Sequence, residues 1–532
     1  TESGSSCHTY PLSYLVPLGF FFASVSGSVF FACKLSHWLL GRLGRFPGRK
    51  LVTAVHPYLS VTGSGGFVMP RVLTLIGLVI TLLLLTASVH AGGLPVEVQE
   101  TPPYVSSRPL GTLREQAAIQ QAWLKERLEV NLPKVMRDHG VDMWVVSMRE
   151  YNEDPVFRAL VSPTSFAARR RTIYIFFDRG SVEGVERIAL GGDSMGGLYD
   201  AYRTELPTAT GRRAELWGAG QWRLFAQIVR ERDPRSIAVN ISDEHNFADG
   251  LTAGEWEQMR EALGPELEAR VVRNPRLAID YLALRVPSMT QVYRRLQGIV
   301  HEIISAAFSS LVITSGETTT ADVVWWMRQR VNDLGLHTWF QPSVSVQRQD
   351  ATSEDLPSDP VIQRGDVLHC DFGITAMGLN TDTQHMAYVL RDGEADAPEG
   401  LKRALARANR LQDILLEKIE VGMSGNEVLQ AVLRQMEAEG LNGTMYSHPI
   451  GDHGHGAGPL IGLWDYQEAV PGRGDVPVLA NMWYSTELQV TTPVAEWNGQ
   501  AVRMALEEEA EITPDGAKRW MLRRQTELHL VR

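Results

Sequence analysis

Cysteine is nearly missing from this chain of 532 residues, where only Cys7, Cys33 and Cys370 occur. Such a count excludes a fold held together by a disulfide framework. Positive charge is scarce as well. The net charge is −11 and unevenly spread: residues 1–91 hold one acid, Glu2, against six bases, a local +5 that leaves −16 for residues 92–532. An acidic body of that size excludes a nucleic-acid or phosphate-rich partner, which calls for a basic surface. A composition 44% hydrophobic and 21% charged fits a soluble globular protein and excludes a multi-span transporter. At ~150 residues per domain the length allows about three or four domains.

One long apolar run stands apart from this body. Val72 to Leu85 is almost purely apolar, preceded by Met69 and Arg71 and followed by Val89 and Ala91 at cleavage-site spacing. Residues 69–91 therefore have the layout of a signal peptide, with residues 1–68 as an upstream extension from a misplaced start. In the competing arrangement Pro11 to Ala32 is a first membrane helix, and the basic stretch from Lys34 to Lys50 stays cytoplasmic. Either way the body is expected outside the cytoplasm, periplasmic or secreted in a bacterium, with any membrane contact confined to residues 1–91. A proline-rich linker spans residues 92–110.

The body divides in two. From 111 to 285, helical spacing over Leu113 to His139 is followed by the strand-like runs VDMWVV, TIYIFF, RIALGG and SIAVNI, an α/β alternation. The basic run Arg169, Arg170 and Arg171 reads as a solvated turn, and no catalytic constellation is found there. From 286 to 532 a pattern repeats about 105 residues apart. Val323 to Gly335 and Val428 to Gly440 are matching helical steps, each with a long helical stretch before it and paired strands after it. A duplicated α/β half is expected, with a cleft between the two copies.

Acids fall at equivalent places in both copies. VLHCDFG ends a strand near Asp371, and GLNTDTQHMAYVL opens the next at Asp382, so a glycine-containing hairpin can return both carboxylates to one place. The second copy offers Glu487 and the run Glu507, Glu508, Glu509. Between them, SHPIGDHGHGAGP holds His448, His453 and His455 in a glycine-rich loop. Unpaired carboxylates in apolar strands would cost several kcal/mol, and cations are the natural compensation. Four carboxylates and one neutral imidazole balance two divalent ions. An oxygen-rich, thiolate-free set favours Mn²⁺, Fe²⁺ or Co²⁺, and the reaction class is metal-assisted hydrolysis.

The order Asp, ten residues, Asp, then His-x-x-Gly-x-x-x-His, then Glu, then Glu before a Thr-x-Asp-Gly turn resembles the pita-bread metallopeptidases. Within them, the preceding α/β domain is similar to that of the aminopeptidase P, prolidase and creatinase branch. The resemblance implies a creatinase-like α/β domain followed by a pseudo-twofold pita-bread catalytic domain, a mixed α/β (α+β) fold. It implies two divalent ions, Mn²⁺ first with Co²⁺, Fe²⁺ or Zn²⁺ as alternatives, and cleavage beside proline in small peptides. It also implies Asp371 as a chelating ligand, Asp382 and Glu507 as bridging ligands, His448 as the imidazole ligand, and Glu487 as ligand and general base. His455 would contact substrate or the oxyanion, with His453 beside it. His453 or His455 as the ligand stays open, because each is also followed three residues later by glycine. A homodimer is implied by analogy. Two positions depart from the family pattern: Glu354 stands where an upstream histidine is usual, and His385 where an arginine is usual. A non-peptidase amidohydrolase and a silent peptide-binding relative are the alternative functions.

Overall fold

A computed structural model describes residues 108–204 and 215–532. The signal-like segment 69–91, the residues before it and the linker as far as residue 107 lie outside the described residues.

The amino-terminal part is built on a mixed six-stranded sheet in the order β4-β3-β2-β1-β5-β6. Its strands are β1 (Met143–Arg149), β2 (Arg171–Asp178), β3 (Val185–Leu190), β4 (Asp200–Tyr202), β5 (Ile237–Val239) and β6 (Val271–Arg273). β1 and β2 are buried along most of their length, which is why they read as continuous rather than alternating apolar runs. Helices Gly218–Arg232 and Ala253–Glu268 cover one face through Trp222, Phe225, Met259 and Leu263. Helices Leu113–Glu126 and Pro275–Ala283 belong to the opposite core, with Trp144, Tyr174 and Tyr281. The basic run is not a solvated turn throughout. Arg171 opens β2 as a buried side chain, and its guanidinium donates to both oxygens of Glu255 at 2.8 and 2.9 Å. Only Arg169 and Arg170 remain half-exposed, both paired with Glu215.

The second part shows the two similar halves. Helices Pro287–Ala307 and Thr320–Asp333 precede β7 (Ser343–Gln347), β8 (Val367–Phe372), the short pair β9 (Thr375–Ala376) and β10 (Leu379–Asn380), and β11 (Thr383–Val389). Helices Glu399–Lys418 and Gly425–Ala438 precede β12 (Gly443–Met445), β13 (His448–Pro449), β14 (Met482–Ser485), β15 (Leu488–Val494) and β16 (Gln500–Leu506). The shorter helix of each half starts with the same device, a capping box, Thr319 with Asp322 in one and Ser424 with Glu427 in the other. β17 (Glu509–Ile512), β18 (Lys518–Trp520) and β19 (His529–Val531) finish the chain. The sheets run β19-β11-β8-β7, β12-β15-β16 and β13-β14-β17-β18. A backbone bridge between Gln384 and Glu507 stitches the halves together, each N–H donating to the other's carbonyl at 3.1 and 3.2 Å. The seam between the duplicated halves thus runs through the acids.

Candidate metal centre

Side-chain alternation on β8 and β11 sets the first half of the site. The two strands pair antiparallel with Gln384 opposite Asp371, and Asp382, two residues before Gln384, looks toward the same side. Asp382 is held by its own backbone N–H, which donates to Glu509 Oε1 at 2.8 Å. The second half is supplied where the strands end: Glu487 between β14 and β15, Glu507 just past β16, and His448 on β13, opposite Ser485.

Five side chains meet there in two groups that share one residue. Donor atoms of Asp371, Asp382 and Glu507 lie within 4.8 Å of one another, and so do those of His448, Glu487 and Glu507. His448 Nδ1 donates to the Pro449 carbonyl at 3.0 Å, which leaves the lone pair of the neutral ring on Nε2. That atom faces Glu507 Oε1 at 3.3 Å, Glu487 Oε2 at 3.8 Å and Asp382 Oδ2 at 3.9 Å. His448 Nε2, Asp371 Oδ1 and Asp382 Oδ1 are buried without any hydrogen-bond partner. Burial first and the Glu507 carboxylate second push the Asp371 carboxyl up to about 8. The same two causes, in that order, raise Asp382 and Glu487 well above the ordinary carboxylate range. Buried oxygens with lone pairs and no donors, beside an imidazole that offers a lone pair, fit divalent cations and little else.

The other two histidines of the loop do different things. His455 is exposed, with its ring 4.8 Å from that of His448 and 5.2 Å from that of Trp339, both edge-on. Burial, followed by His448, lowers it to about 4, so it is neutral near pH 7. With Asp382 and His448 it forms a third group close enough to share an ion. His453 belongs to no such group among the described residues. Its ring lies 4.5 Å from Phe247 of the amino-terminal part.

The loop is pinned from several sides. Asp452 takes Arg127 and Arg285, and Asn380 Nδ2 donates to the Asp452 carbonyl at 3.0 Å. Gly454 is required by packing, since a β-carbon there would stand 2.3 Å from the Trp339 ring. Trp339 Nε1 in turn donates to the Thr381 carbonyl at 2.8 Å, one residue before Asp382. Outside this wall runs a groove of about 780 Å³, lined by Trp123, Phe166, Trp339, Met377 and His453 among others.

The two departures have physical accounts. His385 turns away from the acids, and its Nε2 contacts Glu508 Oε1 at 2.7 Å, while His301 Nε2 reaches the other oxygen at 2.9 Å. Burial would raise Glu508, but His301 and His385 outweigh it and hold the carboxyl down at about 2. Glu508 therefore faces opposite to Glu507, as consecutive residues of extended chain do. Glu354 is exposed on a short 3₁₀ turn, Ser353–Asp355. Residue-type reasoning missed Gln384, His369, Trp339, Arg127 and Arg285. Period-two spacing from Asp382 and Asp371 was the available signal for Gln384 and His369.

Residues 291–514 match the metallopeptidase family M24. Over that segment, less than half of the chain, the sequence is that of an M24 peptidase domain. No curated protein matches the sequence. Among solved structures, the X-Pro aminopeptidase of Thermotoga maritima is 13% identical, with 75% of this chain and 100% of that chain covered at a TM-score of 0.51. The Xaa-Pro dipeptidase of Bacillus anthracis is 16% identical over 77% and 99% of the two chains, TM-score 0.48. The prolidase of Pyrococcus furiosus is 14% identical over 74% and 100%, TM-score 0.46. At such identity the first likeness speaks for the fold: a pita-bread M24 domain behind an amino-terminal α/β domain. The M24 domain contains all five converging side chains.

Proposed function

We propose that this chain is a dinuclear-metal peptidase that cleaves the bond beside proline in small peptides, as an aminopeptidase or dipeptidase. The observation that carries the reading is the pair of donor groups joined through Glu507, with partnerless buried atoms in each. Asp371, Asp382 and Glu507 would hold one ion, and His448, Glu487 and Glu507 the other, with Asp382 close enough to His448 to serve both. The oxygen-rich set favours Mn²⁺, with Co²⁺, Fe²⁺ or Zn²⁺ as alternatives. When bound, such ions polarise a carbonyl oxygen and make water nucleophilic near neutral pH.

The protein's own groups supply the rest. Glu487 takes the proton of the attacking water and delivers it to the departing nitrogen. His455, neutral and exposed, donates its N–H to the oxyanion that develops on the carbonyl. His453 and Trp339 line the aromatic groove, which suits an apolar ring such as that of proline. Residues 69–91 would export the acidic body to the periplasm or the medium, and a homodimer is its proposed assembly.

Purified protein stripped with a chelator and reloaded with Mn²⁺ should release the first residue of Xaa-Pro peptides, or split Xaa-Pro dipeptides, only in the reloaded state. Bound metal with no turnover of any proline peptide would overturn the proline reading and favour an amidohydrolase. Export is tested by sequencing the amino terminus of protein made in a bacterial host: Gly92 as the first residue supports it, and an uncleaved chain in the cytosol refutes it.

A further inference from the structure

We propose that Gln384, held in one orientation by His369, is a positioning residue that clamps the carboxylates of Glu487 and Glu507 and so presets the site for its cations. The inference rests on the reading of these acids as a metal centre. Both residues are buried. Gln384 Nε2 donates to Glu487 Oε1 at 2.5 Å and to Glu507 Oε2 at 3.0 Å, and Gln384 Oε1 meets His369 Nε2 at 2.9 Å. The amide cannot turn over without a penalty. A flipped Gln384 would aim its carbonyl oxygen at two carboxylates and give up both donors to them. His369 Nε2 is then the donor, since an amide oxygen only accepts.

The consequence lies in which oxygens remain. Gln384 occupies one oxygen of each glutamate, and the other two, Glu487 Oε2 and Glu507 Oε1, face His448 Nε2 at 3.8 and 3.3 Å. Ser485 Oγ donates to Glu507 Oε1 at 2.6 Å, which fixes that carboxylate from its other end. Among the described residues, Gln384 is the one side chain recorded as donating to two of the four acids. It therefore offsets their mutual repulsion where the two halves of the domain join. Its backbone serves the same seam, through the bridge to Glu507. Orienting groups behind metal ligands typically change metal affinity or activity by about 10–100-fold.

The test uses the full chain, chelator-stripped, titrated with Mn²⁺ by calorimetry, with circular dichroism as the check of fold. Gln384→Met keeps the volume and removes both donors, and should weaken Mn²⁺ by about 10–100-fold. Gln384→Asn, which keeps the amide but withdraws it by one methylene, should fall in the same direction and serves if the Met variant does not fold. His369→Leu should also weaken Mn²⁺, and the double variant should lose no more than Gln384→Met alone, because His369 acts through Gln384. At saturating Co²⁺ the visible absorption band of Gln384→Met should differ from that of the parent. Unchanged affinity in a folded variant, additive losses in the double variant, or an unchanged Co²⁺ band in a weakened one would each overturn the clamp. Metal binding is read without any peptide, so a parent that binds Mn²⁺ but cleaves no proline peptide would sink the proposed function and leave this inference standing.

Discussion

Arg127 and Asp452, 325 positions apart, form a two-pronged ion pair in which one guanidinium nitrogen lies 2.8 and 2.7 Å from the two carboxylate oxygens. Arg127 follows the first helix of the amino-terminal part, and Asp452 sits inside the histidine loop of the M24 domain. Arg285 completes the arrangement at 2.7 Å and fills the space a β-carbon on Gly451 would need. The amino-terminal domain thus holds the histidine loop directly.

Breaking that link should separate binding of metal from turnover. Asp452→Asn leaves two nearly buried guanidinium groups without their carboxylate, and the expected loss of stability is about 3–5 kcal/mol. Arg127→Met removes one cation and keeps the Arg285 contact. It should retain metal, fold normally and lower kcat/KM, since His453 and His455 would no longer be held from the amino-terminal side. Denaturant unfolding and elemental analysis check the pair. Wild-type kcat/KM in Arg127→Met would show that the tether plays no part in turnover.

The two loop histidines separate by metal content. His448→Ala deletes the one imidazole whose free nitrogen faces three of the carboxylates, and should lower bound metal sharply. His453→Ala removes a ring packed on Phe247 and should leave metal content near that of the parent while raising KM. Equal retention by both variants would move the ligand role to His455.

Glu487→Gln keeps the size of the side chain and removes its capacity to take a proton. Turnover should fall by about 10²–10⁴-fold with the fold intact. Residual activity close to the parent's would place the general base elsewhere.

The parts of this centre that could be read from sequence are those fixed by short-range order. Asp371 and Asp382 flank a hairpin, Glu507 precedes a recognisable turn, and His448 sits in a loop dense with glycine. The duplicated helices were legible because each half repeats the same spacing of apolar residues. What escaped were side chains whose role depends on distant partners. Arg127 looks like any helix arginine until the fold brings Asp452 to it. Trp339 looks like a core residue until Gly373 and Gly454 are seen to leave room for its ring. Arg171 shows the same limit in reverse, a charge in a basic run that Glu255 draws into the core.

Protons and metal ions compete for the same carboxylates. In the metal-free chain Asp371 is pushed up to about 8 by burial and then by Glu507, and the same causes raise Asp382 and Glu487 well above the ordinary carboxylate range. The unfolded chain releases the Asp371 proton near pH 4, whereas the folded one keeps it to about 8. Each raised acid therefore weakens the metal-free fold as pH rises through that window, since the unfolded state binds fewer protons. A cation competes with the same protons, so its uptake must release them, and apparent affinity should climb with pH toward about 8. Two measurements check this: calorimetric titration with Mn²⁺ in two buffers of different ionisation enthalpy, and thermal melts of stripped protein across the window. The stripped protein should melt lower at pH 8 than at pH 6, and the metal should raise the melting point more at pH 8. Metal uptake without proton release, with affinity flat over about two pH units, would mean that Asp371, Asp382 and Glu487 are already ionised and are balanced by something other than a cation.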